Sequence, residues 1–173
     1  MVIATPTTIL DWAIKYAQQK WHVIQVYGLR DNLTCRCAKS KHCPSPGKHP
    51  IEPGWPDKAT CDVEIIKNMN WDNMNIGIVT GSVSDLYVLD TDLKNDGPDN
   101  LAQWELENVQ LLPQFIVETG GGGFHYYFPY PKDFNFTGKA IKKIIGVDIR
   151  ADRQFVVAPP SRHYLGGKYV WGV

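Results

Sequence analysis

Apolar positions recur at helical spacing over Thr8 to Gln19, at Leu10, Ala13, Ile14 and Ala17, and Thr8 with Asp11 three residues on forms a capping-box pattern. This predicts a first helix. An apolar, partly β-branched run, Trp21 to Tyr27, predicts a strand behind it. Thr60 to Asn70 predicts a second helix, with Asp62 as its cap and Val63, Ile66 and Met69 on one side. Asn75 to Val79 and Leu86 to Asp92 predict two strands, and Asn100 to Leu111 predicts a third helix carrying Leu101 and Trp104, with Leu112 near the same face. Four more strands are expected at Phe115–Glu118, Phe124–Phe128, Gly146–Arg150 and Phe155–Ala158, with Gly, Pro and Asp clustered between them. The pattern is that of one α+β domain over residues 1–173, built on a mixed β-sheet flanked by helices. No repeat or heptad run interrupts it.

One stretch breaks the pattern. Between Gly28 and Pro56 the chain holds three cysteines, two histidines and five prolines and almost no aliphatic residues. A small insertion at about residues 30–55 that lacks a core of its own needs another source of order. Cys35-x-Cys37, Cys43 and His49 give the spacing C-x-C-x5-C-x5-H, and thiolates with an imidazole are the donors a structural Zn²⁺ uses. His42 competes with His49 as fourth ligand, and unliganded reduced cysteines are the plain alternative. Cys61 stands apart and reads as packed.

Composition narrows the rest. Eighteen basic residues balance eighteen acidic ones, which excludes binding of nucleic acid by bulk charge alone but not through a local site. No apolar run is long enough to span a bilayer, and no secretory signal opens the chain, so a cytoplasmic, reducing setting without a membrane is expected. In that setting cysteines bind metal more readily than they pair.

The chemistry gathers at strand ends. Asp90 and Asp92 lie at i and i+2, so in a continued strand they share a face, about 7 Å apart. Such carboxylates repel unless a divalent cation neutralises them, and their hard oxygens suit Mg²⁺ or Mn²⁺. An exposed pair of turn-opening aspartates is the bland alternative. Asp148 and Arg150 alternate with apolar Val147 and Ile149, which gives a second acidic strand or an ordinary surface ion pair. Glu118-Thr-Gly-Gly-Gly-Gly-Phe-His125 joins four glycines to a histidine. Backbone N–H groups of such a run, including Gly122 and Gly123, can approach an anion closely. The Gly-Lys-Ser/Thr ending of a Walker-type loop is missing.

In this order the three pieces resemble the motifs of the archaeo-eukaryotic primase superfamily, and most closely its bifunctional primase/polymerase (prim-pol) branch of plasmids, phages and other mobile elements. Asp90-Thr91-Asp92 resembles the first motif, Gly123-Phe124-His125 the second and Val147-Asp148 the third. Leu10 to Tyr27, Pro46-Gly-Lys-His-Pro50, Gly54-Trp55, Asn75 to Gly81 and Phe155 to Ser161 are similar to recurring family segments. The resemblance implies a primase/polymerase core with a zinc-stem insertion. It also implies DNA-templated addition of NTPs or dNTPs to a 3′-hydroxyl, on a single-stranded or primed template, with or without a primer. Asp90, Asp92 and Asp148 would then hold Mg²⁺ or Mn²⁺, and His125 would contact the nucleotide phosphates. Arg150, beside Asp148, and Ser161 are further nucleotide-binding candidates.

Two departures stand out. Relatives often carry a basic residue in the loop before the histidine, where this chain has only Gly120 to Gly123, and Gly-Gly-Tyr where it has Arg153-Gln154-Phe155. Arg153 is the candidate replacement for the missing loop cation. Arg30, Arg36, Lys39, Lys41 and Lys48 form a basic flap suited to template backbone, and Lys139, Lys142 and Lys143 form a second basic group. Rival readings are a non-catalytic zinc-containing nucleic-acid-binding module and a metal-dependent nuclease. Because relatives continue into a helical accessory domain or a helicase, the chain is expected to be the catalytic portion of a longer protein.

Overall fold

The structure, a computed structural model, describes residues 6–132 and 144–172. Lys139, Lys142 and Lys143 lie outside those residues. Its helices are α1 (Ile9–Gln18), α2 (Trp55–Lys58), α3 (Val63–Lys67) and α4 (Gly97–Glu107). Its strands are β1 (Val23–Val26), β2 (Asn75–Thr80), β3 (Leu86–Thr91), β4 (Phe115–Glu118), β5 (Phe124–Pro129), β6 (Val147–Arg150), β7 (Gln154–Ala158) and β8 (Val170–Trp171). The short α2 and β8 have no counterpart in the hydrophobic pattern. Among the described residues no helix is long and apolar enough to cross a membrane.

Local chemistry sets the helix ends. Thr8 Oγ1 accepts the Asp11 amide at 3.1 Å while Asp11 accepts the Thr8 amide at 2.9 Å, the reciprocal cap that starts α1. Asp62 accepts the Glu64 and Ile65 amides, so α3 begins at Val63 and is shorter than its apolar spacing suggests. Pro98 sits in the first turn of α4, which starts three residues before the expected Asn100. That helix ends at Glu107, and Leu112 falls outside it and stays exposed.

The strands form two antiparallel sheets, in the orders β1-β2-β7 and β6-β3-β5-β4-β8. A mixed sheet was expected, yet every paired strand in both sheets is antiparallel. The cause is a split crossover. Helix α4 carries the chain from β3 to β4, which run the same way, but β5 inserts between them and pairs antiparallel with both.

Strand alternation then sorts the residues. Val88 and Tyr127 face α1, α3 and the smaller sheet in the main core with Ala13, Ile66, Ile76 and Val156, whereas Leu89, Phe128 and Val147 pack with Leu101 of α4 on the other face. At the ends of β3 and β6 the core-facing positions become Asp90 and Asp148, and the apolar layer gives way to a polar cleft.

Asn75, buried at the start of β2, ties three segments together. Its Nδ2 donates to the carbonyls of Gly47 and Arg162, both at 2.9 Å, and its Oδ1 accepts the Arg162 amide at 3.0 Å. Replacing Asn75 with Ala leaves those buried groups unpaired and should lower stability by about 1–3 kcal/mol, read as a lower urea midpoint with an unchanged slope. An unshifted midpoint would show that the tie is energetically idle.

Candidate active site and metal centre

Three polar side chains form one row across adjacent strands. Asp90 of β3 is the direct cross-strand partner of Asp148 on one side and of His125 on the other. Like charges placed opposite each other destabilise a sheet, so the pair needs a counter-charge. Arg150 supplies it from two positions along β6. Its Nη2 donates to Asp90 Oδ2 at 3.0 Å and to Asp148 Oδ2 at 2.9 Å, and its Nε reaches Asp90 Oδ2 at 3.2 Å. His125 Nε2 lies 3.4 Å from Asp90 Oδ1. Burial acts to raise the Asp90 pKa, but the charges and hydrogen bonds of His125 and Arg150 outweigh it and hold the carboxyl well below the usual carboxylate range. The His125 ring is buried, and its Nδ1 has no hydrogen-bond partner among the described residues.

Asp92 lies one residue past the end of β3 and is exposed. It lines the same cleft as Asp90 and Asp148, but its carboxylate folds back on its own turn, accepting Lys94 N at 3.0 Å and Asn95 Nδ2 at 3.1 Å. The three acids therefore share a cavity of about 1130 Å³, with two of them in contact through Arg150.

The glycine run forms another wall, by a different means than expected. A Cβ on Gly123 would stand 2.0 Å from the Thr91 carbonyl oxygen, so only glycine lets this loop lie against the strand end that bears the acids. Gly122 has a left-handed φ of 86°. The amides of Gly122 and Gly123 both turn onto Thr119, at 3.0 Å to its carbonyl and 3.0 Å to its hydroxyl. In this structure these two N–H groups hold the turn.

Two further expectations change. Ser161 is fully buried and its hydroxyl accepts the Ile76 amide at 2.9 Å, so it pins the end of β7 to β2 and is not part of the cleft wall. Arg153 is exposed and forms a two-pronged ion pair with Asp57 at 2.8 and 3.2 Å, outside the cleft. It does not replace the missing loop cation.

His163, Tyr164 and Tyr169 line the cleft and carry no signal that the hydrophobic pattern could register, beyond the Gly166-Gly167 turn that folds them back. His163 is buried, and its Nδ1 accepts the Leu165 amide at 3.2 Å, a bond only the neutral ring can make. Burial, with the nearby Lys48 charge, lowers its pKa to about 4. The unfolded chain binds this proton from about pH 6.5 downward and the folded chain does not. The stability from His163 is therefore complete above pH 6.5 and lost as the pH falls toward 4. A His163→Gln variant should show a flatter stability profile across that window in denaturant titrations. An equally steep profile would exclude His163 as the source.

The insertion brings its ligands together. Cys35, Cys37, Cys43 and His49 place their donor atoms within 4.8 Å of one another, and His49 Nε2 lies 3.4 Å from both Cys35 Sγ and Cys43 Sγ. Tetrahedral zinc with bonds of about 2.0–2.3 Å has ligand edges a little under 4 Å, so this donor set fits the ion. His42 is exposed and outside the cluster, so of the two candidate histidines only His49 lies with the three cysteines. The return limb reaches that point by pairing with β1, where Tyr27 N donates to His49 O at 3.0 Å. Burial, and the neighbouring Cys37 and Cys35 sulfurs, push the Cys43 thiol up to about 11. In Cys37 burial also acts upward, but hydrogen bonds from Cys35, His49, the Lys39 backbone and Cys43 bring it down to about 6. One thiolate stabilised by its neighbours is a ready starting point for metal capture.

Within the expected basic flap the residues divide. Arg30 donates to the Cys35 carbonyl and to Ser40, and Arg36 donates to Leu29 and Asn73, so both staple the insertion. Lys39 and Lys41 are exposed. Lys48 instead enters the acidic cleft, whose wall is completed by Cys43, Ser45 and Pro46 of the insertion.

A comparison with protein-family models matches residues 13–173 to Prim-Pol, the N-terminal domain of bifunctional DNA primase/polymerase. The chain belongs to this family. Prim-Pol proteins are primase/polymerase-type nucleotidyltransferases, which accords with a cleft lined by acids, histidines and lysines. A search of curated proteins gave no match. For this Prim-Pol domain the insertion is expected to carry one zinc per chain, measured by elemental analysis, and Cys43→Ser should lose it. Full zinc retention in that variant would rule out the four-ligand centre.

Proposed function

We propose that this cleft performs DNA-templated nucleotidyl transfer, adding NTPs or dNTPs to a 3′-hydroxyl, with or without a primer. The observation that carries the reading is the row Asp148–Asp90–His125, three adjacent strands presenting two carboxylates and an imidazole to one cavity. Asp90 stays ionised because His125 and Arg150 hold it so, and ionised oxygens are the donors Mg²⁺ or Mn²⁺ selects. Asp90 and Asp148 are the residues that would hold such ions, joined by Asp92 from the rim. Bound divalent cations would lower the pKa of the attacking hydroxyl and neutralise charge on the leaving pyrophosphate.

The chain's own residues do the rest by position. Arg150 keeps the two carboxylates from repelling each other before a cation arrives. His125, fixed against Asp90 by its Nε2, orients that carboxylate and presents a buried ring beside the nucleotide phosphates. The glycine loop lies tight against Thr91, and Cys43, Ser45 and Pro46 of the insertion line the cleft. A zinc held by all four of these residues would have no open position and would serve structure rather than chemistry.

A second reading has one observation in its favour. Arg150 already satisfies both acids, as it would in a zinc-containing nucleic-acid-binding module that had lost catalysis. One experiment separates the two: incorporation of each nucleotide type on primed and unprimed single-stranded DNA, with Mg²⁺ and Mn²⁺ compared. Metal-dependent incorporation is expected. Asp90→Asn and Asp148→Asn should each reduce it by at least about a hundredfold with the cooperative unfolding transition retained. Incorporation at the wild-type rate in either variant would overturn the assignment.

A further inference from the structure

A triphosphate entering an acidic cleft needs cations that are not already committed, and among the described residues the cleft lining has few. Arg150 bridges Asp90 and Asp148. Arg153 is paired with Asp57 outside the cleft. The glycine loop has no side chains, and the amides of Gly122 and Gly123 are engaged with Thr119. Two lysines remain in the lining, Lys48 and Lys94.

They are held differently. Lys94 rides on the exposed turn that follows Asp92. Lys48 is fixed from both sides. Gly47, at φ 72°, gives its carbonyl to the buried Asn75. His49 gives its carbonyl to Tyr27 and its imidazole to the Cys35–Cys43 cluster, with its ring 4.7 Å from that of Tyr27. Between these two anchors the backbone of Lys48 has little freedom, and its side chain lies in the cleft with its ammonium 5.6 Å over the Tyr164 ring. Among the described residues it takes part in no ion pair.

We propose that Lys48 is a triphosphate-binding residue whose position is set by the metal centre one residue away, so that zinc in the insertion controls nucleotide affinity in the cleft. The claim rests on the nucleotidyl-transfer reading above and adds the source of the cation that the glycine loop does not supply. It also gives the insertion a function beyond folding: the Cys3His cluster is the fixed point from which a phosphate ligand is presented. A lysine suits that task because its ammonium is a compact point charge that follows a phosphate without demanding planar geometry.

The test is equilibrium binding of Mg²⁺-ATP, Mg²⁺-dATP and Mg²⁺-tripolyphosphate to the whole zinc-loaded chain. Lys48→Met should weaken all three by at least about tenfold, as loss of a charged phosphate contact predicts, and by a similar factor because the contact is to phosphate alone. Lys94→Ala should weaken them less. Removing zinc from the wild-type chain should weaken binding toward the Lys48→Met level, and removing it from Lys48→Met should add little, since both changes act on one contact. The far-UV circular dichroism of each sample checks that the sheets persist.

Wild-type affinity in Lys48→Met, an equal loss in Lys94→Ala, or zinc removal without effect on the wild type would each overturn the proposal while leaving nucleotidyl transfer standing. If the zinc-loaded wild type binds none of the three ligands, the nucleotidyl-transfer reading itself fails.

Discussion

Asp90 and Asp148 stand opposite each other on neighbouring strands, and the local architecture answers the repulsion between them. A like-charged cross-strand pair is tolerated here because Arg150 donates to both carboxylates and His125 flanks Asp90 from the far side. β3 must therefore sit between β6 and β5, and the order β6-β3-β5-β4-β8 provides that. The same arrangement keeps Asp90 charged although partly buried, the state in which a carboxylate attracts a divalent cation.

Two sites of opposite chemical character adjoin, with Cys43 of the sulfur cluster lining the acidic cleft. The strand ends present hard oxygen donors, and the insertion presents three sulfurs and an imidazole, so each selects a different class of ion. The insertion has almost no aliphatic residues and cannot order itself by burial. Its order comes from the ligand cluster, the arginine staples and the Asn75 tie to β2. Its residues Cys43, Ser45, Pro46 and Lys48 form a wall of the acidic cavity.

How much of this the sequence discloses depends on the range of each interaction. The capping box at Thr8 and Asp11, the Asp62 cap and the Cys35–Cys37–Cys43 spacing are local, and all appear as expected. The choice of His49 over His42 is already non-local, since it depends on the return limb pairing with β1. Strand direction is less legible still: a β-α-β order reads as a parallel pair, and only the insertion of β5 makes every pairing antiparallel. The meeting of Asp90 with Asp148 depends on register between strands far apart in sequence, and family resemblance supplied it where periodicity could not. Ser161, Gly122 and Arg153 mark the limit. Each is polar or flexible and close in sequence to the relevant strands, yet hydrogen bonds to Ile76, Thr119 and Asp57 engage them elsewhere.

The most direct test of the central claim is a titration of the zinc-loaded chain with Mn²⁺, following the loss of free-ion signal by electron paramagnetic resonance. If Asp90 and Asp148 form a cation site held ready by Arg150, the wild type takes up Mn²⁺ and the doubly substituted Asp90→Asn, Asp148→Asn chain, folded and with its zinc intact, takes up none at the same concentrations. Equal uptake by the two chains would contradict the account.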